Sequence, residues 1–128
     1  MKTQGMRTML GRVRGLGSAK EGVEHWWMQR VTAVALVPLV LWFVVSVIGL
    51  VGAPYEAVTS WIGHPISGVL LILLIVAVFH HAQLGIQVVL EDYVHNEGAK
   101  IASLLAIKGL ALVLGGIGVV SVLKLMLR

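Results

Sequence analysis

The chain has 128 residues, 58% of them hydrophobic and 12% charged, with a mean hydropathy of +0.93. That is more apolar surface than a soluble core of this length can hide, so a water-soluble domain is excluded and the bilayer is the solvent. The absence of cysteine excludes an internal disulfide, a thiolate metal site and covalent c-type haem attachment. The net charge of +4 rests largely on Lys2, Arg7, Arg12, Arg14, Lys20 and Arg30, ahead of the first apolar run, a pattern that orients a membrane protein rather than one that binds nucleic acid.

Met1 to Lys20 is basic, contains several glycines and no acid, and lacks the apolar stretch of a secretory signal. It reads as a cytoplasm-side tail, with a mitochondrial presequence, similarly rich in arginine and poor in acids, as the alternative. Glu24-His25-Trp26-Trp27-Met28-Gln29-Arg30 marks a water-to-lipid boundary through its paired indoles and terminal arginine. Val31 to Ala53 is uncharged and long enough, at about 1.5 Å per residue, to cross a hydrocarbon core of about 30 Å. Pro38 within it is predicted to bend the helix, as a tolerated kink or as a hinge.

Pro54 to Pro65 carries Tyr55, Trp61 and His64 but no Lys or Arg, and is read as the translocated loop. Ile66 to Leu90 predicts a second span, interrupted by Ser67, His80, His81, Gln83 and Gln87. A polar return from Glu91 to Lys100 leads to a third span, Ile101 to Leu123, closed by Lys124 and Arg128. The expected fold is an all-α integral membrane protein with three transmembrane helices. A basic cytoplasmic segment covers residues 1–30, and a membrane anchor domain covers 31–128 with spans at about 31–53, 66–90 and 101–123. The distribution of Lys and Arg puts the N-terminus in the cytoplasm and the C-terminus on the opposite side.

Histidine inside a span is costly unless it is paired, protonically useful or bound to a metal, which directs attention to His80-His81. Adjacent helical residues point about 100° apart, so the two cannot serve one metal from the same side. His81, Gly85, Val88 and Asp92 follow 4-3-4 spacing and form one stripe, with His81 about 16 Å deeper than Asp92 and near the bilayer midplane. Gly85, one turn from His81, removes bulk where a flat macrocycle would lie, so a haem held by two imidazoles fits the pattern, as does a histidine bonded only to a neighbouring helix. Tyr93 and Asp92 lie where the helix leaves the lipid. A phenol there can donate to a quinone carbonyl beside an orienting carboxylate, or serve as an interfacial anchor.

Arg30 and His25 lie on the same membrane side, where the arginine suits haem propionates or a quinone as well as ordinary anchoring. Gln83 and Gln87 make an i,i+4 amide pair suited to interhelical hydrogen bonding. Lys108 reads as a snorkelling anchor, and Ala111, Gly115 and Gly118 as a small-residue packing face on the third span.

His81-Ala82-x-x-Gly85, followed after six residues by Asp92-Tyr93-Val94, resembles the small hydrophobic membrane anchor of succinate dehydrogenase, respiratory complex II. His25-Trp26-Trp27-Met28-Gln29-Arg30-Val31-Thr32-Ala33 is similar to that family's N-terminal signature, and Phe79 to Gly85 resembles its alphaproteobacterial and mitochondrial-like branch. The resemblance covers roughly residues 22–100.

It implies membership of a four-protein enzyme in which a flavoprotein and an iron-sulfur subunit oxidise succinate on the cytoplasmic side, with no succinate-oxidising activity in this chain alone. By position, His81 would be one axial ligand of haem b, the second coming from the other membrane anchor of the enzyme. Tyr93 would hydrogen-bond ubiquinone with support from Asp92, and Arg30 and His25 would lie near the haem propionates and quinone headgroup. The resemblance implies residence in the bacterial inner membrane or, alternatively, the mitochondrial inner membrane. Two other readings of the same residues are a small transporter or channel component with His80, His81 and Gln87 along a polar path, and a structural anchor without haem.

Overall fold

A computed structural model describes residues 20–128, with side chains from residue 22 onward. Apart from Lys20, which is already helical, the expected basic tail lies outside the described residues. Four helices account for the rest: α1 (Lys20–Gly49), α2 (Tyr55–Gly63), α3 (Pro65–Tyr93) and α4 (Glu97–Met126). There is no strand among the described residues.

Three of the helices are long and apolar enough to cross a membrane, and they coincide with the three expected spans. At 29 or 30 residues each they are about 45 Å long, so their ends reach beyond the hydrocarbon core into the headgroup layers.

The boundaries of α1 differ from the uncharged run. It is already helical from Lys20, the first residue described, through Arg30, where Glu24, Met28, Gln29 and Arg30 are good helix formers, so the lipid edge at Arg30 is not a helix end. It passes through Pro38 and stops at Gly49, short of Ala53, in a tight turn in which Val51 N–H donates to the Ile48 carbonyl and Ala53 N–H to that of Leu50. Gly52 sits in this turn at φ +80°, a backbone conformation that a side chain would strain.

The segment read as the translocated loop holds the short helix α2. Pro54 precedes it and Glu56 lies in its first turn, complementing the helix dipole. Trp61 stacks on Trp42 of α1 at 5.6 Å between ring centroids, so α2 closes this end of the bundle with an aromatic contact. A Cβ on Gly63 would stand 2.8 Å from the Leu125 carbonyl oxygen, so glycine lets α2 approach the end of α4.

His64 caps α3 by accepting from Ile66 N–H through Nδ1 at 3.2 Å, with Pro65 in the first turn. Asn96 caps α4 by accepting from Ala99 N–H at 3.0 Å.

The middle helix organises the fold: α3 packs against both α1 and α4, which do not pack against each other. Phe79 lies against Gly115 and Ile75 against Gly118 on the α4 side, while His81 meets Thr32 on the α1 side. Both pairings run antiparallel.

Among the described residues only Leu71, Leu74, Leu84 and Val122 form a buried apolar core. Large apolar side chains line the outside instead, Val34 and Leu112 among them at 73% and 77% exposed, as expected where lipid or partner helices are the surroundings.

Candidate functional site

The site grows from the contact between α1 and α3. His81 lies two residues past the midpoint of α3, residue 79, and its Nδ1 is 3.0 Å from Thr32 Oγ1 on α1. Thr32 is the one buried polar residue among those described. Its hydroxyl also lies 2.8 Å from the Met28 carbonyl and 3.1 Å from that of Gln29, the usual resting place of a threonine hydroxyl on its own helix. Among the described residues the second ring nitrogen of His81, Nε2, has no hydrogen bond, and it is not one of the nitrogens sealed inside the chain.

His80 points elsewhere, as the 100° step requires. Its Nε2 is buried without a partner among the described residues, as are His25 Nε2 and Gln29 Oε1. His80 and His25 line a groove of about 810 Å³ that also takes in Phe79, Gln87, Lys108 and Gly116. Gln83 and Gln87 sit on its rim and make the expected i,i+4 amide contact, long at 3.5 Å, which Gln87 extends by donating to Glu91 Oε1 at 3.0 Å. Polar groups thus run from the aqueous end of α3 toward His80 along one face, while His81 occupies another.

Gly85 lies on the His81 stripe, and the space where its side chain would stand is bordered by Gln29 Nε2, 3.8 Å from an ideal Cβ. Together with the Thr32 contact this fixes the register of α1 on α3. Arg30 is two residues from Thr32, so it lies close to the level of His81; His25, five residues before Arg30, lies about 7.5 Å further toward the start of α1. The Arg30 guanidinium is exposed and stands 5.5 Å from the centroid of the Trp26 ring, a cation–π contact that directs it along the outside of α1.

Asp92 and Tyr93 end α3 fully in the open, Tyr93 at 77% exposure, and neither side chain has a hydrogen-bond partner among the described residues. The fold therefore joins His81 to α1 but leaves Asp92 and Tyr93 apart from it, at the aqueous end. No group of three or more metal-ligating side chains converges among the described residues.

Sequence reasoning did not single out Thr32 or Gln29. Their signal was faint: Thr32 is one of few hydroxyls in the first apolar run, and nothing in a single sequence pairs it with a histidine 49 residues away.

Residues 4–118 match the family described as succinate dehydrogenase/fumarate reductase transmembrane subunit. A succinate dehydrogenase hydrophobic membrane anchor subunit of Rickettsia bellii (strain RML369-C) is 30% identical over 106 residues, covering 83% of this chain and 85% of the relative. The similarly named protein of Paracoccus denitrificans is 30% identical over 93 residues, 73% of this chain and 72% of its own length. A succinate dehydrogenase membrane anchor subunit of Reclinomonas americana is 29% identical over 96 residues, 73% of this chain and 80% of the relative. No solved structure matches the chain.

Proposed function

The chain belongs to the succinate dehydrogenase/fumarate reductase transmembrane subunit family, and we propose that it anchors a succinate:ubiquinone oxidoreductase, offers one axial ligand to haem b and forms part of the ubiquinone-reducing site. As a membrane anchor it works within an oxidoreductase complex. On this reading its partners are a flavoprotein, an iron-sulfur subunit and a second membrane anchor. The N-terminus is cytoplasmic and the C-terminus lies across the membrane, following the bias of Lys and Arg. The membrane is the bacterial inner membrane, with the mitochondrial inner membrane as the alternative.

The observation that carries the haem assignment is the state of His81. Its Nδ1 is engaged by Thr32 while its Nε2 is left without a partner among the described residues, as a metal-bound imidazole requires. His80 suits the role less well, because its Nε2 is enclosed by the chain's own helices. With one usable imidazole, the chain fits a haem shared with another protein of the complex, which would supply the second ligand. Such a haem provides a one-electron store beside the quinone site.

This chain's part in quinone reduction lies at the end of α3. The Tyr93 hydroxyl is an exposed donor suited to a quinone carbonyl, and the Asp92 carboxylate beside it can hold or pass a proton from the same aqueous side. Both protons and succinate chemistry then belong to one side of the membrane. Arg30 and His25, on α1, are the cationic and imidazole groups available to propionates or to the quinone headgroup.

Optical spectra of membranes containing the four subunits test the assignment. The reduced b-type band is expected to vanish in His81→Ala and persist in His80→Ala; the reverse moves the ligand by one residue, and persistence in both removes the chain from haem ligation. For Tyr93→Phe, quinone reduction should fall by about tenfold or more, the equivalent of one lost hydrogen bond of roughly 1.4 kcal/mol, while succinate oxidation by a soluble acceptor is retained. Equal loss of both activities would remove Tyr93 from the quinone site.

A further inference from the structure

The Thr32 hydroxyl has one proton and three neighbours within hydrogen-bond distance: the carbonyls of Met28 at 2.8 Å and Gln29 at 3.1 Å, and His81 Nδ1 at 3.0 Å. A carbonyl only accepts. If the hydroxyl donated to Nδ1, two lone-pair-bearing oxygens would face each other at 2.8 Å, in a buried place, with no hydrogen between them. Donation to a carbonyl of α1 removes that repulsion and leaves a lone pair on Oγ1 for a hydrogen carried by Nδ1. In the neutral ring the proton is then on Nδ1 and the free lone pair on Nε2.

We infer that Thr32 is the positioning residue for His81: it fixes the tautomer and ring plane that present Nε2 to iron, and by accepting from Nδ1–H it makes the imidazole a stronger donor. The inference rests on the haem reading given above and adds to it a residue that never touches the cofactor. Thr32 does this from a different helix, so the ligand's orientation depends on the packing of α1 against α3. A partner that accepts from the distal ring nitrogen typically changes metal affinity by about 10–100-fold. A better-donating imidazole favours ferric over ferrous iron and lowers the reduction potential.

Thr32→Val and Thr32→Ser in the complete complex of four proteins provide the test. Valine keeps the shape and deletes the acceptor; serine restores it. The expected result for Thr32→Val is an assembled complex that loses haem to excess apomyoglobin about tenfold or more faster than wild type, with the remaining b haem titrating at a higher potential. Thr32→Ser should return both properties to wild-type values, which a merely structural role for the threonine would not require.

Wild-type haem retention and potential in Thr32→Val would overturn the inference and leave the haem reading intact. A wild-type complex without a b-type band, or a His81→Ala complex that keeps one, would overturn the haem reading and the inference with it. Assembly is followed independently by succinate oxidation with a soluble acceptor in the membrane fraction. If valine prevents assembly, Thr32→Ala deletes the hydroxyl without placing a second methyl against the ring and is read in the same way. Failure of both to assemble assigns Thr32 to packing alone and overturns the proposal.

Discussion

Against α4, the middle helix packs by close approach: Phe79 lies over Gly115, and a Cβ on Gly118 would stand 3.2 Å from Ile75 Cδ1. Against α1 the same helix makes a polar contact, Thr32 with His81, and the nearest glycine on that side, Gly85, is met only by the end of the Gln29 side chain at 3.8 Å. Lipid tails are as apolar as leucine, so burying leucine between membrane helices gains little; association rests on shape and on hydrogen bonds. The two sides of α3 divide these means between them. The α4 side uses shape and involves residues with no chemistry to perform. The α1 side uses a hydrogen bond and involves the residue proposed to hold iron, so there the contact that packs the helices also sets the state of an imidazole.

That division is open to attack from both sides, and the larger effect belongs to α4. Gly118→Leu would drive a branched side chain into Ile75, which must yield even to a single methyl group. Overpacking of this kind costs about 1–3 kcal/mol. The expected outcome is a lower thermal midpoint for the detergent-solubilised complex, with the b-type band of the surviving molecules at its wild-type position. A variant of wild-type stability would show that α3 and α4 are not held by close approach. An altered band would show that the two sides of α3 are not independent.

Much of this arrangement was legible in one sequence. Uncharged runs reveal spans because the bilayer admits few other solutions, and Glu91 to Lys100 reads as a polar return because its charges have nowhere else to lie. The stripe from His81 to Asp92 follows from helical geometry alone. Helix ends were less legible: hydropathy marks where lipid begins, so the part of α1 before Arg30, which is helical but polar, fell outside the expected span.

The helix α2 was missed for a related reason. Tyr55 and Trp61 announced an interface, but a nine-residue segment offers little period to read, and its helical state depends on docking at Gly63 and Trp42. Thr32 was missed because hydrogen bonds between helices are set by rotation and register, which no single sequence encodes. Asp92 and Tyr93 stand apart from His81 because they lie eleven and twelve residues further along the same helix, about 16 Å away, which the sequence spacing already required.

The smaller effect belongs to the α1 side and concerns Gly85. Its place one turn from His81 first suggests room kept for a flat macrocycle, yet the neighbour across that space in this chain is Gln29, at ordinary van der Waals distance from where a Cβ would stand. Gly85→Ala therefore meets no obstacle within the fold, and it replaces a residue that costs roughly 0.8–1 kcal/mol in a helix interior. The thermal midpoint of the complex should hold or rise slightly, and the haem should be retained at its wild-type potential, because neither Thr32 nor the His81 ring is touched. Loss of haem from a complex of undiminished stability would mean that the empty volume at Gly85 serves the cofactor and not the approach of α1. In that case the α1 side of α3 would be shaped by close approach after all, with the macrocycle in the part that Ile75 and Phe79 play on the other side.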